Sequence, residues 1–228
     1  DGTVRRAEAH LAEDTAVLTL AAVREDRRVV AHVTIENLAG HKFPTAYPSR
    51  RAWLHVIARD DNGTILFESG RPRPNGQIDG NDNDQDAARF EPHYTEVVDA
   101  GQVQIYESII ADPAGRVTTG LLTAVQYLKD NRVLPRGFDK ATASADVAVH
   151  GGASGDADFE GGSDRVRYVL PPGASTVEVT LLYQPIGYRW ARNLASQSAM
   201  EIDRFVGYYE AMANVSSAVV ARATARVE

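Results

Sequence analysis

The segment Gly40-His41-Lys42-Phe43-Pro44-Thr45-Ala46-Tyr47-Pro48-Ser49-Arg50-Arg51 gathers two prolines, two aromatic rings and three long cations into twelve residues. Each proline fixes its own φ and restricts the residue before it, so the stretch reads as a rigid loop between strands. A rigid loop presents its side chains in set directions. Neutral imidazole is a standard iron ligand, which makes His41 a candidate axial ligand for a haem, with Arg50 and Arg51 as candidate haem contacts. The alternative is structural: His41 hydrogen-bonds across the loop, and both arginines pair with nearby acids.

A second constellation is Asp79-Gly80-Asn81-Asp82-Asn83-Asp84-Gln85-Asp86. Calcium takes six to eight oxygen ligands from flexible loops, and alternating Asp and Asn side chains supply them. Asp79, Asn81, Asp82, Asn83, Asp84 and Asp86 are therefore calcium candidates, although the glycine and terminal glutamate of an EF-hand loop are missing. The competing reading is an acidic turn whose side chains cap their own backbone. A third constellation, Phe90-Glu91-Pro92-His93-Tyr94, offers His93 as a haem ligand, a proton relay beside Glu91 and Glu96, or a plain surface histidine. Asp156, Asp158, Glu160 and Asp164, near His150, form either a further cation site or a mobile glycine-rich loop.

Composition excludes much else. The chain has 228 residues and no cysteine, which removes disulfides, thiolate nucleophiles, Cys-ligated metals and covalent haem attachment through C-x-x-C-H. A net charge of −7 leaves no excess of Lys and Arg for nucleic-acid phosphates. No run of about 18 apolar residues is present to span a membrane. The G-x-S-x-G elbow, the phosphate loop and H-E-x-x-H are all absent, and the histidines at 10, 32, 41, 55, 93 and 150 are scattered. The residues therefore point away from an enzyme. The opening at Asp1 reads as a processed or excised segment.

The elements that must position these residues are mostly strands. Residues 1–13 read as a helical remnant or linker. In 29–36, Val29, Ala31, Val33 and Ile35 alternate with Val30, His32, Thr34 and Glu36, the two-residue period of a half-buried strand. Residues 52–68 read as a hairpin about Asp60-Asp61-Asn62-Gly63. Residues 103–110 read as one further strand, and 165–183 as a hairpin across Pro171-Pro172-Gly173. Leu121, Leu122, Val125 and Leu128 have helical spacing, as do Ile202, Phe205, Val206, Tyr209 and Met212, whose stripe is expected to pack into the core. Residues 216–227 fit a last strand. The whole is expected to be mainly β: an antiparallel β-sandwich, immunoglobulin-like or similar, with long loops and one or two short helices. It forms a single domain over 14–228, with loop insertions at 70–100 and 111–164.

The strings around 40–45 and 47–56 resemble the C-terminal region of secreted multihaem c-type cytochromes related to cytochrome c554. The resemblance runs on through Gly80-Asn81-Asp82-Asn83-Asp84, Phe90-Glu91-Pro92-His93-Tyr94, Gln102-Val103-Gln104-Ile105-Tyr106-Glu107, Leu134-Pro135-Arg136-Gly137-Phe138-Asp139-Lys140 and Tyr183-Gln184-Pro185-Ile186-Gly187-Tyr188-Arg189-Trp190. Ala46 stands where a glycine is expected. In such proteins a haem-free, β-rich part follows an N-terminal part with several C-x-x-C-H sites, and only the former is matched. The resemblance implies a non-catalytic accessory role in electron transfer, shielding or docking haem c carried by an upstream segment or partner chain. It also implies a periplasmic or extracellular setting and protein–protein assembly. The alternative is an extracellular, calcium-stabilised module that binds a glycan or protein.

Overall fold

The computed structural model describes residues 2–228. In chain order the strands are β1 (Ala16–Glu25), β2 (Arg28–Asn37), β3 (Arg51–Arg59), β4 (Ile65–Ser69), β5 (Glu96–Val97), β6 (Ile105–Tyr106), β7 (Ser108–Ala111), β8 (Val117–Thr118), β9 (Gln126–Asp130), β10 (Ser163–Leu170), β11 (Thr176–Gln184) and β12 (Ala218–Arg226). The α-helices are α1 (Gly2–Asp14), α2 (Asp82–Gln85), α3 (Tyr188–Leu194) and α4 (Met200–Met212). Among the described residues no helix is long and apolar enough to cross a membrane.

The fold is mainly β, as expected, and consists of three open sheets, mainly antiparallel. They run β1-β2-β10-β5, β12-β11-β3-β4 with β6 also on β3, and β8-β7-β9. The pair β5–β10 is parallel. The alternation in β2 holds from Ala31 onward: Val29, Ala31, Val33 and Ile35 are fully buried and His32, Thr34 and Glu36 half-buried, but Val30, expected on the outer face, is buried as well. One apolar core draws on both larger sheets. Leu18, Ile35, Val166 and Tyr168 come from the first, and Leu54, Val56, Val179 and Leu181 from the second. At one edge the end of β12 bonds to β1 through Arg24 N–Glu228 O (3.0 Å) and Glu228 N–Ala22 O (3.1 Å). The hairpin β3–β4 forms as expected, and Asp60 Oδ1 accepts the Asn62 and Thr64 amides at its turn.

Four expectations give way to tertiary context. Residues 165–183 form no hairpin, because β10 lies in the first sheet and β11 in the second. Pro171 and Pro172 carry no backbone N–H for a ladder, and the chain crosses the core there. The single strand expected over 103–110 is two strands in two sheets, broken at Glu107. There the Glu107 amide is taken by Asn131 Oδ1 (3.0 Å). The helical spacing at 121–128 produces a turn at 120–124 and then β9, which pairs with β7. Leu121, Leu122 and Val125 are left exposed, so the apolar stripe has no core to face and does not form a helix. Helix α4 does form, but none of its residues is buried. It packs on α3 rather than into the core.

The loop between β2 and β3 contains a cis Phe43–Pro44 bond, and Ala46 has φ of 65°. This is the left-handed region where a Cβ costs roughly 1–2 kcal/mol, at the position where a glycine is expected. Ala46 is exposed, so its methyl group contributes little packing. Ala46→Gly should therefore raise stability by about 0.5–1 kcal/mol, a gain of a few degrees in the thermal midpoint. A lower midpoint in a calorimetric scan would show that the loop does not hold this conformation.

Candidate functional site

The 40–51 loop is held from beneath by polar side chains. Asn37, fully buried, donates from Nδ2 to His41 O (2.8 Å) and Val133 O (2.9 Å). Phe43 and Val133 exchange backbone bonds of 2.8 Å each. Lys42 Nζ donates to Asp130 Oδ2 (2.7 Å), and Arg132 Nε to Asp130 Oδ1 (2.7 Å). Burial pushes the Asp130 carboxyl up, but Arg132 and Lys42 outweigh it and hold the group below the usual carboxylate range. Burial also lowers the Lys42 ammonium, against the pull of Asp130. The expected rigidity is thus built from an ion cluster as well as from proline. His41 is exposed, and among the described residues no hydrogen bond to its ring is found. Arg50 lies partly exposed and donates to Thr45 O (3.1 Å).

Arg51 does something else. It opens β3 facing inward, 4% exposed, and donates to Gln184 Oε1 (2.8 Å), Asp84 Oδ1 (2.8 Å) and Gly76 O (2.9 Å). Strand alternation separates the two arginines: one stays at the surface and its neighbour becomes the buried counter-ion of α2.

That pairing also decides the acidic loop. Asp84 Oδ2 accepts the Ile78 amide (2.8 Å). Asp79 pairs with Arg73, and Asp82 with Arg89. Asn81 Oδ1 caps α2 at Asn83 N (3.1 Å), Asn83 Nδ2 donates to Arg89 O (2.7 Å), and Asp86 Oδ1 accepts Ala88 N (2.9 Å). The six calcium candidates therefore face arginines and backbone groups rather than a common centre. The counter-charge that calcium would supply comes from residues outside the run, at 51, 73 and 89, which local spacing does not show.

Pro92 feeds the chain inward, and His93 lies buried with no side-chain exposure. Its Nε2 is 2.9 Å from Asp156 Oδ2 and 3.9 Å from Asp164 Oδ1. Its Nδ1 faces the amide nitrogens of Gln104 (3.0 Å) and Asn131 (3.1 Å). Both amides are oriented by backbone N–H groups, since Gln104 Oε1 accepts from Tyr94 N (2.8 Å) and Asn131 Oδ1 from Glu107 N (3.0 Å). Nδ1 therefore accepts, and Nε2 carries the proton that is donated to Asp156. Burial holds this imidazole below its ordinary range. Inside the fold both ring nitrogens are engaged, so His93, unlike His41, offers no lone pair to an iron outside it.

Asp164 sits on the core-facing phase of β10, with Val166, Tyr168 and Leu170. Its Oδ2 accepts Tyr106 Oη–H (2.5 Å), while its buried Oδ1 has no partner. Burial and the carboxylates of Asp156 and Asp158 raise it to about 7. His93, Asp156 and Asp164 offer ligand atoms all within 4.8 Å of one another, a spacing that admits a metal ion. The donor set argues the other way. A metal-bound histidine gives its second ring N–H to an acceptor, whereas here that nitrogen meets two N–H donors. Of the four acids grouped by sequence with His150, Asp156 and Asp164 thus join His93 instead. The His150 ring lies against Tyr127, 5.6 Å between centroids. The signal available in the sequence was parity: Asp164 is in phase with three inward apolar residues of its own strand.

No family model matches the chain, and no curated protein matches it in sequence. Its fold is similar to that in the crystal structure of a penta-heme cytochrome c552 from Thermochromatium tepidum, with a TM-score of 0.57 and 17% identity over 96% of this chain. The likeness covers 41% of that protein's chain, so this chain spans less than half its length. With no cysteine, this chain can attach no c-type haem covalently, and it corresponds to a haem-free region.

Removing one member of a buried ion pair leaves the other charge uncompensated. Asp84→Ala should cost about 3–5 kcal/mol in chemical denaturation through the stranded Arg51. Thermal midpoints in millimolar calcium and in chelator should coincide; a calcium-dependent rise would return the 79–86 loop to cation binding.

Proposed function

We propose that this chain is a non-catalytic, haem-free accessory part of a multihaem c-type cytochrome system, docking or shielding haem c carried by another segment or chain. The observation that carries this reading is the likeness in fold to part of a penta-heme cytochrome over nearly the whole chain, in a sequence without a single cysteine. Electron transfer is then the setting, and the haem belongs to the neighbour. A domain that excludes water from a haem and places groups near it alters the haem's potential without carrying it. The same reading places the chain in the periplasm or outside the cell.

The surface that supports docking is the 40–51 loop. His41 and Arg50 are presented on a backbone pinned by the Lys42–Asp130–Arg132 cluster and the Phe43–Val133 bridge. An imidazole held this way can approach iron or a propionate at little entropic cost. Tyr47 is 61% exposed on the same loop and adds an aromatic face. The calcium-stabilised binding module has less to support it, because Asp79, Asp82 and Asp84 already pair with Arg73, Arg89 and Arg51.

The test is to mix the chain with a purified polypeptide bearing C-x-x-C-H haems encoded beside it. Binding is followed by calorimetry, and the haem by its absorption bands. Association with a shifted haem band is expected, and His41→Ala should weaken binding at least tenfold or abolish the shift while leaving the far-UV spectrum unchanged. Absence of association and of any spectral change would refute the accessory role. Binding that is indifferent to His41→Ala would refute only the assignment of this loop.

A further inference from the structure

The buried cluster around His93 holds two carboxylates and nothing to neutralise them. Asp156 Oδ2 accepts His93 Nε2–H (2.9 Å), and its Oδ1 accepts the Asp158 amide (3.1 Å). Asp164 has one hydroxyl donor, Tyr106, a long contact from Gln104 Nε2 (3.4 Å), and an unpartnered Oδ1. The nearby cations are committed elsewhere. Lys129 Nζ is 3.0 Å from Glu107, and Lys140 Nζ donates to the carbonyls of Ala153 and Asp156. Tyr168 also lies close on β10 and is neutral, since burial raises its hydroxyl. Asp158 adds a further negative charge. Burial and the two amide N–H groups at Nδ1 disfavour an imidazolium at His93, against the pull of Asp156. Two like charges this close in a dry site are resolved by keeping one of them protonated.

The proton belongs on Asp164. Asp156 has two donors and some exposure, whereas Asp164 is 1% exposed with a free oxygen. The two acids also differ in what holds them. Asp164 is locked in β10 opposite Ile35 of β2. Asp156 lies on an irregular segment tied to the sheets by backbone bridges only at its ends, Asp130–His150 and Glu160–Ser163. Between these ends, its Gly155 and Asp156 amides bond within the segment itself. Its remaining anchors are Asp156, the Lys140 contacts, Ala153, Asp158, whose carboxylate faces the backbone amide and the guanidinium of Arg165 on β10, and Phe159, whose ring meets His93 edge-on at 5.0 Å. Repulsion between ionised acids therefore moves this segment before it moves the strand.

We propose that residues 151–160 are a pH-operated latch, closed over the His93 ring while Asp164 carries a proton and loosened when Asp164 becomes an anion facing Asp156. The sign follows from linkage. In the closed state Asp164 titrates near 7, against 3.8 for a free aspartate. The closed state binds more protons between these values, so closure is strongest in acid, weakens as pH rises toward 7, and levels off above it.

Hydrogen exchange of the full chain, read by mass spectrometry from pH 5 to 8.5 and corrected for the intrinsic rate, tests this. Protection of 151–160 should fall by up to about tenfold per pH unit toward neutrality and then level off, while β2 stays more protected throughout. Asp164→Asn, which imitates the neutral acid, should give a flat profile. Should that variant fail to fold, Asp156→Asn serves instead: without the facing charge Asp164 ionises more readily in the closed state, so the fall is smaller and levels off at lower pH, and an unchanged profile counts against the proposal. Protection of 151–160 that is independent of pH in the native chain, or equal to that of β2, overturns the latch. So does a tenfold gain in protection from one equivalent of zinc at pH 7.5, which would make the acids a metal site.

Discussion

A charge removed from water needs a partner, and the partners of the buried Arg51, Lys129 and Lys42 lie in elements other than their own. Arg51 on β3 meets Asp84 on α2, and Lys129 on β9 meets Glu107 between β6 and β7. Lys42 on the β2–β3 loop meets Asp130 on β9. The long irregular stretches are thereby fastened to strands. Apolar contacts alone would serve poorly there, because a loop rich in Gly, Asp and Asn has little apolar surface to bury. A buried pair is a weak source of net stability but a strong penalty on any register that separates it, so these pairs select one arrangement of the loops.

The same constraint sorts the residues that could do chemistry. His41 and His93 look alike in sequence, each within three residues of an aromatic and a proline. One ends on the surface of a braced loop, and the other inside a network whose donors and acceptors already fix its tautomer. Arg50 and Arg51 are neighbours, yet one faces outward and the other neutralises the acidic loop. Exposure and prior engagement, rather than residue type, separate a group free to meet a haem-bearing neighbour from one that holds the fold together. The accessory role proposed for the chain rests on the groups left free and on a fold shared with part of a penta-heme cytochrome.

Local signals carried far where burial follows a simple period. The alternation of β2 and the Asp60–Gly63 turn of the β3–β4 hairpin were legible because both depend on residues a few positions apart. The absence of cysteine excluded covalent haem on chemical grounds alone. Helix α4 was legible in its spacing, though the partner of its stripe was not. The split of 103–110 into two sheets and the crossover at Pro171–Pro172 were hidden, since each depends on which distant strand offers a ladder. The acidic run at 79–86 read equally as a cation site or a self-capping turn, because its arginine partners come from outside the run.

The residues by themselves determined a mainly β chain, a braced loop bearing His41, and the impossibility of covalent haem, because periodicity, proline geometry and thiol chemistry are local properties. Only the tertiary structure decided which acids meet arginines, which histidine is buried, and that Asp164 faces His93 and Asp156. Those outcomes depend on pairings between residues far apart in the chain, where desolvation makes one partner obligatory and the sequence does not say which.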